Sequence, residues 1–316
     1  MGIKGYIAAI LFSGGGCFAQ SDSLSNSYIQ KFPDKISAQL FTLNTYNNFT
    51  LDYKTEGITV DLAPNRKTTL GVAVQYDILF LSVGFAPKFF TDNRDNRDSK
   101  MTSFSLSLFP GQWAQYFDYI YQKGMTLDAD TESLYLSTMK TMKLGGSTSY
   151  VFNKNYSVNA ISFQSERQLK SAGSFIPALS YYYTQLSGDA SEGIDGKIYF
   201  IDVALSPGYN YNWVIAGKFL VAGGISLGGG FTKTVDDEVN TTTFLTTASV
   251  SLSLGYNSDT FYGGVLSKGI ASSHNARSSV TMNDAVSYVT AFFGYRFDAP
   301  GFLTKEKNKI KEKLKF

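Results

Sequence analysis

The chain has 316 residues, of which 43% are hydrophobic and only 17% charged, with 28 Lys and Arg against 26 Asp and Glu. A net charge of +2 gives no electrostatic footprint for nucleic acid, and no nucleic-acid partner is expected. Beyond the N-terminus no apolar run approaches the roughly 18 residues of a spanning helix, while 29 Gly, 25 Phe and 21 Tyr against 7 Pro suit β structure.

The first residues, MGIKGYIAAILFSGGGCFAQ, carry a positive Lys4, an apolar stretch from Tyr6 to Phe12 and a small-x-small site at Cys17-Phe18-Ala19. That is the pattern of a secretory signal peptide over 1–19, cleaved to leave Gln20 first. A lipoprotein signal at Cys17 is the rival reading, but Gly14 stands where such a signal needs a large aliphatic residue. Cys17 is the only cysteine, so the exported chain draws no stability from disulfides. Residues 20–35 are polar and read as a periplasmic lead-in.

From there one pattern recurs. TTLGVAVQY (68–76), LFLSVGFA (79–86), SFSLSLF (103–109), YFIDVALSP (199–207), TTASVSLSLGY (246–256) and SYVTAFFGYRF (287–297) each alternate apolar with small or polar residues. Successive side chains of a strand point to opposite faces, so strict period two is a strand signal. Short turns are expected at 76–78, 110–111, 153–155, 210–212 and 257–259. Longer polar loops are expected at 89–100, 124–141, 187–197, 232–242 and 271–284.

In these strands the second face is mostly Ser, Thr, Gly and Ala, with few charges. A soluble sandwich shows a charged face to water. A barrel in lipid is apolar outside and small or polar inside, with short turns on one side and longer loops on the other, and only helices and closed barrels satisfy their backbone in a bilayer. The sequence therefore predicts an all-β fold, a single transmembrane antiparallel β-barrel over 36–297 with about 12 strands, 10 to 14 being compatible. A soluble periplasmic β fold is the architectural rival. Trp113, Tyr116, Tyr119 and Tyr121, and Tyr209, Tyr211 and Trp213, are candidates for interfacial girdles.

The stretches SYIQKFPDKI (27–36), LAPNRKTTLGVAVQY (62–76), GGSTSYVFNKNYS (145–157), FQSERQLKSAGSF (163–175) and PGYNYNWV (207–214) together resemble a Bacteroidota family catalogued as domain of unknown function 4421. The resemblance covers roughly residues 27–297, and residues 165–174 are its most specific part. It implies an outer-membrane β-barrel of a Gram-negative cell, and for a barrel so placed the expected partners are outer-membrane lipid and the barrel-assembly machinery. It assigns no activity.

Few motifs carry chemistry. His274, in SSHNARSS, is the only histidine, which excludes a zinc site built on several histidines. With Ser273 or Asn275 it is the one candidate for a barrel-embedded hydrolase. GGISLGGGFTK (223–233) lacks the Gly-Lys-Ser/Thr ending of a phosphate loop and sits in a strand pattern. The acidic runs at 92–98 and 236–238 do not match a calcium loop and read as solvated loops. No metal site, cofactor or catalytic residue is assigned. In SERQLK, Glu166, Arg167 and Lys170 break the low-charge pattern. They read as lumen or ligand contacts, or as an ion-pair cluster plugging the lumen, or as a plain turn, and Asp202 and Arg296 fall on inward faces from which they could pair across the lumen. Expected functions are a channel for a small solute or lipophilic ligand, or a scaffolding barrel with a plugged lumen. The last segment, 298–316, holds six lysines against two glutamates in 303–316 and a thin apolar stripe of Leu303, Ile310 and Leu314. It reads as a basic tail, resting on anionic lipid or disordered.

Overall fold

A computed structural model describes residues 28–55, 57–64, 67–94, 99–129, 132–189, 196–236, 240–277 and 280–314. The signal peptide expected over 1–19, residues 20–27 of the lead-in, and residues 95–98 and 237–239 in the acidic runs lie outside the described residues.

The strands are β1 (Ile29–Lys31), β2 (Lys35–Tyr53), β3 (Ile58–Pro64), β4 (Lys67–Tyr76), β5 (Leu79–Phe85), β6 (Lys100–Leu108), β7 (Trp113–Ala129), β8 (Glu132–Tyr150), β9 (Glu166–Gln168), β10 (Ala172–Phe175), β11 (Ala178–Ser187), β12 (Lys197–Ser206), β13 (Gly208–Ile215), β14 (Phe219–Val235), β15 (Asn240–Asn257), β16 (Phe261–Arg277) and β17 (Val280–Asp298). The ring runs β2-β4-β5-β6-β7-β8-β11-β12-β14-β15-β16-β17 and closes where β17 pairs antiparallel with β2, twelve strands as the alternation predicts. β10 and β13 continue β11 and β12 past breaks at Pro177 and Pro207, whose missing N–H groups interrupt the ladder.

The wall is not uniform. β5 and β6 are short, at 7 and 9 residues. Past their ends β3 leaves the line of β4 and pairs directly with β7. A bulge between Lys123 and Met125, with Gly124 at φ 86, bends β7 at this junction. Asn93 closes the edge left open at Thr68, accepting from its N–H at 3.0 Å and donating to its carbonyl at 2.8 Å.

The alternation sorts the two faces. On β15, Val250, Leu252 and Leu254 are each 57% exposed outward while Ser253, on the other face, is 1% exposed. The outer surface carries such residues all round, including Val72, Leu81, Val203, Leu227 and Val289. A closed sheet with this outside is a transmembrane barrel. Inside, large side chains seat on glycines of the neighbouring strand: Phe41 opposite Gly71, and Tyr262 opposite Gly294.

Several expectations need correction. The stretches 124–141, 232–242 and 271–284 are chiefly the ends of strands of 17 to 19 residues. Polar residues there mimic loops because strands much longer than the roughly 10 residues a bilayer needs run on into water. Asn210-Tyr211-Asn212 is not a turn but the middle of β13, and the turn falls at 216–218 with Ala216 at φ 51 and Gly217 at φ 69. Tyr116 lies on the inward face of β7 with Ala114 and Gln122, so it belongs to no outer girdle. Residues 301–314 form a helix, α1 (Gly301–Leu314).

Candidate functional site

A turn does fall at 153–156, where the Tyr156 N–H donates to Asn153 O at 3.0 Å, but it does not lead straight back into the wall: it lies within a longer segment, residues 151–171. They fold into the barrel's mouth at the end where β2 begins and β17 ends, and β9 pairs antiparallel with β1 there. Inward side chains from around the ring hold this plug. Ser37 on β2 donates to Gln164 O at 2.9 Å, and Gln164 donates to Gln39 at 3.0 Å. Gln75 on β4 donates to Asn159 Oδ1 at 3.1 Å, Asn212 on β13 to Ser157 O at 2.9 Å, and Ser253 on β15 to Ile161 O at 3.1 Å. Each inward polar residue thus satisfies plug backbone or amide groups that would otherwise be buried without partners.

Arg296, on β17, is the centre of this arrangement and is 1% exposed. Its Nε donates to Gln164 O and its Nη1 to Ser258 O, each at 2.5 Å, and its Nη2 donates to Asn257 Oδ1 at 2.8 Å and to Phe163 O. Its guanidinium carbon lies 4.2 Å from the Phe32 ring centroid and 4.6 Å from that of Tyr262. Phe163 itself is at φ 63, in the left-handed region that a bulky residue rarely adopts. Its ring is fully buried, 5.6 Å from Phe292. Such a conformation persists only where surrounding contacts over-determine it, and the arginine fork on its carbonyl is one of those contacts.

The SERQLK residues lie on the plug, not on the barrel wall. Glu166 accepts from Ser157 and pairs with Lys31 at 3.7 Å. Arg167 donates to Gln30 at 2.5 Å and pairs with Asp259 at 3.1 Å. Lys170 is exposed, its ammonium 5.2 Å from the Tyr28 ring centroid. Gln168, buried between them, receives Ser157 N–H at 2.9 Å and donates to Asn155 O at 2.6 Å. Burial pushes the Tyr156 phenol of the plug upward in pKa, so it stays neutral.

Asp202 and Arg296 both face inward, but they do not meet. Asp202 accepts from Thr232 at 2.7 Å, while Arg296 is committed to the plug. Asp202 belongs to a polar middle layer of the lumen with Asp118, which accepts from Ser105 at 2.6 Å, and a Lys143–Asp284 ion pair at 3.4 Å. Below it, Phe41, Phe163, Tyr262 and Phe292 pack together. Above it, at the loop end, Phe49, Leu62, Met125, Leu136, Phe200 and Met282 cluster with others inside the ring.

His274 is not in a loop. It sits on β16, buried, its ring 5.9 Å from Phe200, and Ser273 alternates to the opposite face. The plug contacts Ser37, Gln75, Asn159, Phe163, Gln164, Asn212 and Asn257 were not singled out in the sequence. Buried Gln75 and Asn212 do stand on inward faces, larger and more polar than the Ser, Thr and Gly that prevail there.

A closed twelve-strand wall with an apolar outside and an inward-folded plug defines a barrel of the outer-membrane type. The chain belongs to the family described as domain of unknown function DUF4421, whose profile matches residues 20–297. No curated protein matches. Among solved structures it is similar to OmpT, an outer-membrane protein of Vibrio cholerae (8% identity, 84% of this chain and 99% of that one, TM-score 0.33). It is also similar to the Pseudomonas putida toluene transporter TodX (8%, 83% and 89%, TM-score 0.32) and to outer membrane protein OprG from Pseudomonas aeruginosa (12%, 85% and 98%, TM-score 0.27). The chain's own strand pairing, not these distant likenesses, carries the class.

Proposed function

We propose that the protein is an outer-membrane β-barrel closed by its own plug, acting as a structural or scaffolding barrel rather than as an open diffusion pore. The observation that carries this reading is Arg296, whose fork holds the carbonyls of Phe163 and Gln164 in the mouth of the barrel. The apolar cluster at the loop end supports it from the other side. Residues 1–19 read as the export signal and 20–35 as a lead-in, which together with the apolar outer face supports an outer-membrane location. Lipid would cover that face, and the barrel-assembly machinery would close the final strand. No catalytic role is assigned, since His274 packs on Phe200 with Ser273 turned away.

A gated channel is the second reading. The charged middle layer of Asp118, Lys143, Asp202 and Asp284 favours it, because such groups suit a path that is wet when the plug leaves. The test is the full-length chain in planar bilayers. The plugged barrel is expected to be silent, and steady ion conductance from the unmodified chain would refute it.

A further inference from the structure

We propose that the outer wall carries a binding site for the phosphate of an outer-leaflet lipid headgroup, made by Lys100, Lys123 and Lys140. The proposal rests on the membrane-spanning reading of the barrel. The three residues lie on β6, β7 and β8, and the register sets Lys100 opposite Lys123 and Lys123 opposite Lys140. Strands lie about 4.8 Å apart, so three ammonium-bearing side chains share a strip about 10 Å wide. All three point outward, because Met101, Gln122 and Thr141, their chain neighbours, are buried on the inner face. The same row continues through Ser187 on β11 to Lys197 on β12. Lys67 lines a recess with Lys100 and Lys123 where β3 crosses to β7.

Like charges directly opposite one another across a sheet destabilise it. Among the described residues, no carboxylate forms an ion pair with Lys100, Lys123, Lys140 or Lys197. An anion bridging the row turns that repulsion into attraction. The height of the row identifies the anion's source. From Trp113 to Lys123 the strand rises about 33 Å, or about 25 Å along the barrel axis at a tilt near 40°, which is the height of an apolar band. Trp113 and Tyr150, opposite one another with rings 4.9 Å apart, mark the band's turn end. Between the two levels the outward residues of β7 and β8 are aromatic, apolar or uncharged: Phe117, Tyr119, Tyr121, Leu144 and Met142 among them. Tyr121, Tyr183 and Tyr199 stand just beneath the row, the last two with rings 5.9 Å apart. Lysines immediately beyond an aromatic girdle, at the loop end, lie at the depth of the outer leaflet's phosphates.

The experiment titrates phosphatidic acid into the detergent-solubilised full-length chain and counts lipid adducts by native mass spectrometry. Each surface lysine removed is expected to weaken binding roughly fivefold, so K123Q/K140Q should weaken it roughly 30-fold. Lys218→Gln, at the opposite end of the barrel, should leave it unchanged. Unaltered affinity in the double variant overturns the proposal. So does displacement of the lipid by inorganic phosphate at equal concentration, which would mean a free-anion site. Insertion into phosphatidylcholine vesicles, read by the mobility of unheated against boiled samples, checks the barrel separately. Failure to insert overturns the membrane reading and this site with it, whereas insertion with unaltered adducts overturns the lysine site alone.

Discussion

Replacing Arg296 by alanine removes four charge-assisted hydrogen bonds and two aromatic contacts at once. A hydrogen bond to a charged group contributes about 1.5–3 kcal/mol, and a desolvated cation–π contact about 2 kcal/mol. These terms are not additive, and water re-enters part of the site when the side chain is truncated. A loss of at least about 4 kcal/mol is nevertheless expected, because the carbonyls of Phe163, Gln164 and Ser258 lose a buried donor together. Phe163, held at φ 63, then has less to keep it there. The loss should appear first as undocking of 151–171, since the ring itself is hydrogen-bonded throughout. Three readouts follow that event: steady conductance in planar bilayers, tryptic cleavage at Lys154 or Lys170, and a lower denaturant midpoint. Arg296→Lys keeps the charge but not the planar fork, and should fall between the two. If Arg296→Ala stays silent, resists trypsin and unfolds within about 0.5 kcal/mol of the parent chain, the plug does not depend on this arginine and the reasoning fails.

Leu252→Arg puts a charge on the lipid face near mid-strand and should cost about 2–4 kcal/mol of folding into lipid, whereas Ser251→Arg, on the inward face, avoids that cost. Equal mobility shifts of the two variants between unheated and boiled samples would mean that the apolar face is not a lipid face. Truncation after Phe297 should still give a folded barrel, while truncation before Tyr288 should not, because β17 closes onto β2 over its whole length. Loss of assembly on removing 298–316 alone would place the end of the barrel elsewhere.

The wall was legible in the sequence, and the plug was not, for a physical reason. Period two is a local signal: Val250, Leu252 and Leu254 against Ser249, Ser251 and Ser253 need no knowledge of distant residues to be sorted into two faces. The count of about 12 strands follows from repeating that signal, and the ring has twelve. Strand ends were harder. Beyond the bilayer the outward face becomes polar, so the alternation of Asn240 to Thr247 fades while pairing continues. Residues 153–170 carry no period at all, and the partners that order them, Gln75, Asn212 and Arg296, lie 84, 55 and 133 positions away from theirs. The charge of SERQLK marked the segment as unusual. Only the folded chain shows that Glu166 meets Lys31 of β1 and that Arg167 meets Gln30 and Asp259, instead of a solute.

The ring's closure explains how the chain holds a buried arginine without a carboxylate partner at its fork. In an open sheet the carbonyls of a loop would be solvated and the guanidinium would stay in water. Here β17 must pair with β2, which brings Arg296 beside Ser37 and beneath Phe32. β16 supplies Tyr262 on its other face. The remaining acceptors are oxygens of the plug and of the 257–259 turn. Plug docking and satisfaction of Arg296 therefore both depend on ring closure. A barrel that has not joined β17 to β2 has no site for 151–171, and this ordering predicts that the plug seats only after the last strand is in place. Chains truncated before Tyr288, which cannot close onto β2, should show Lys154 and Lys170 open to trypsin when incubated with lipid, and protection of both in such chains would contradict it.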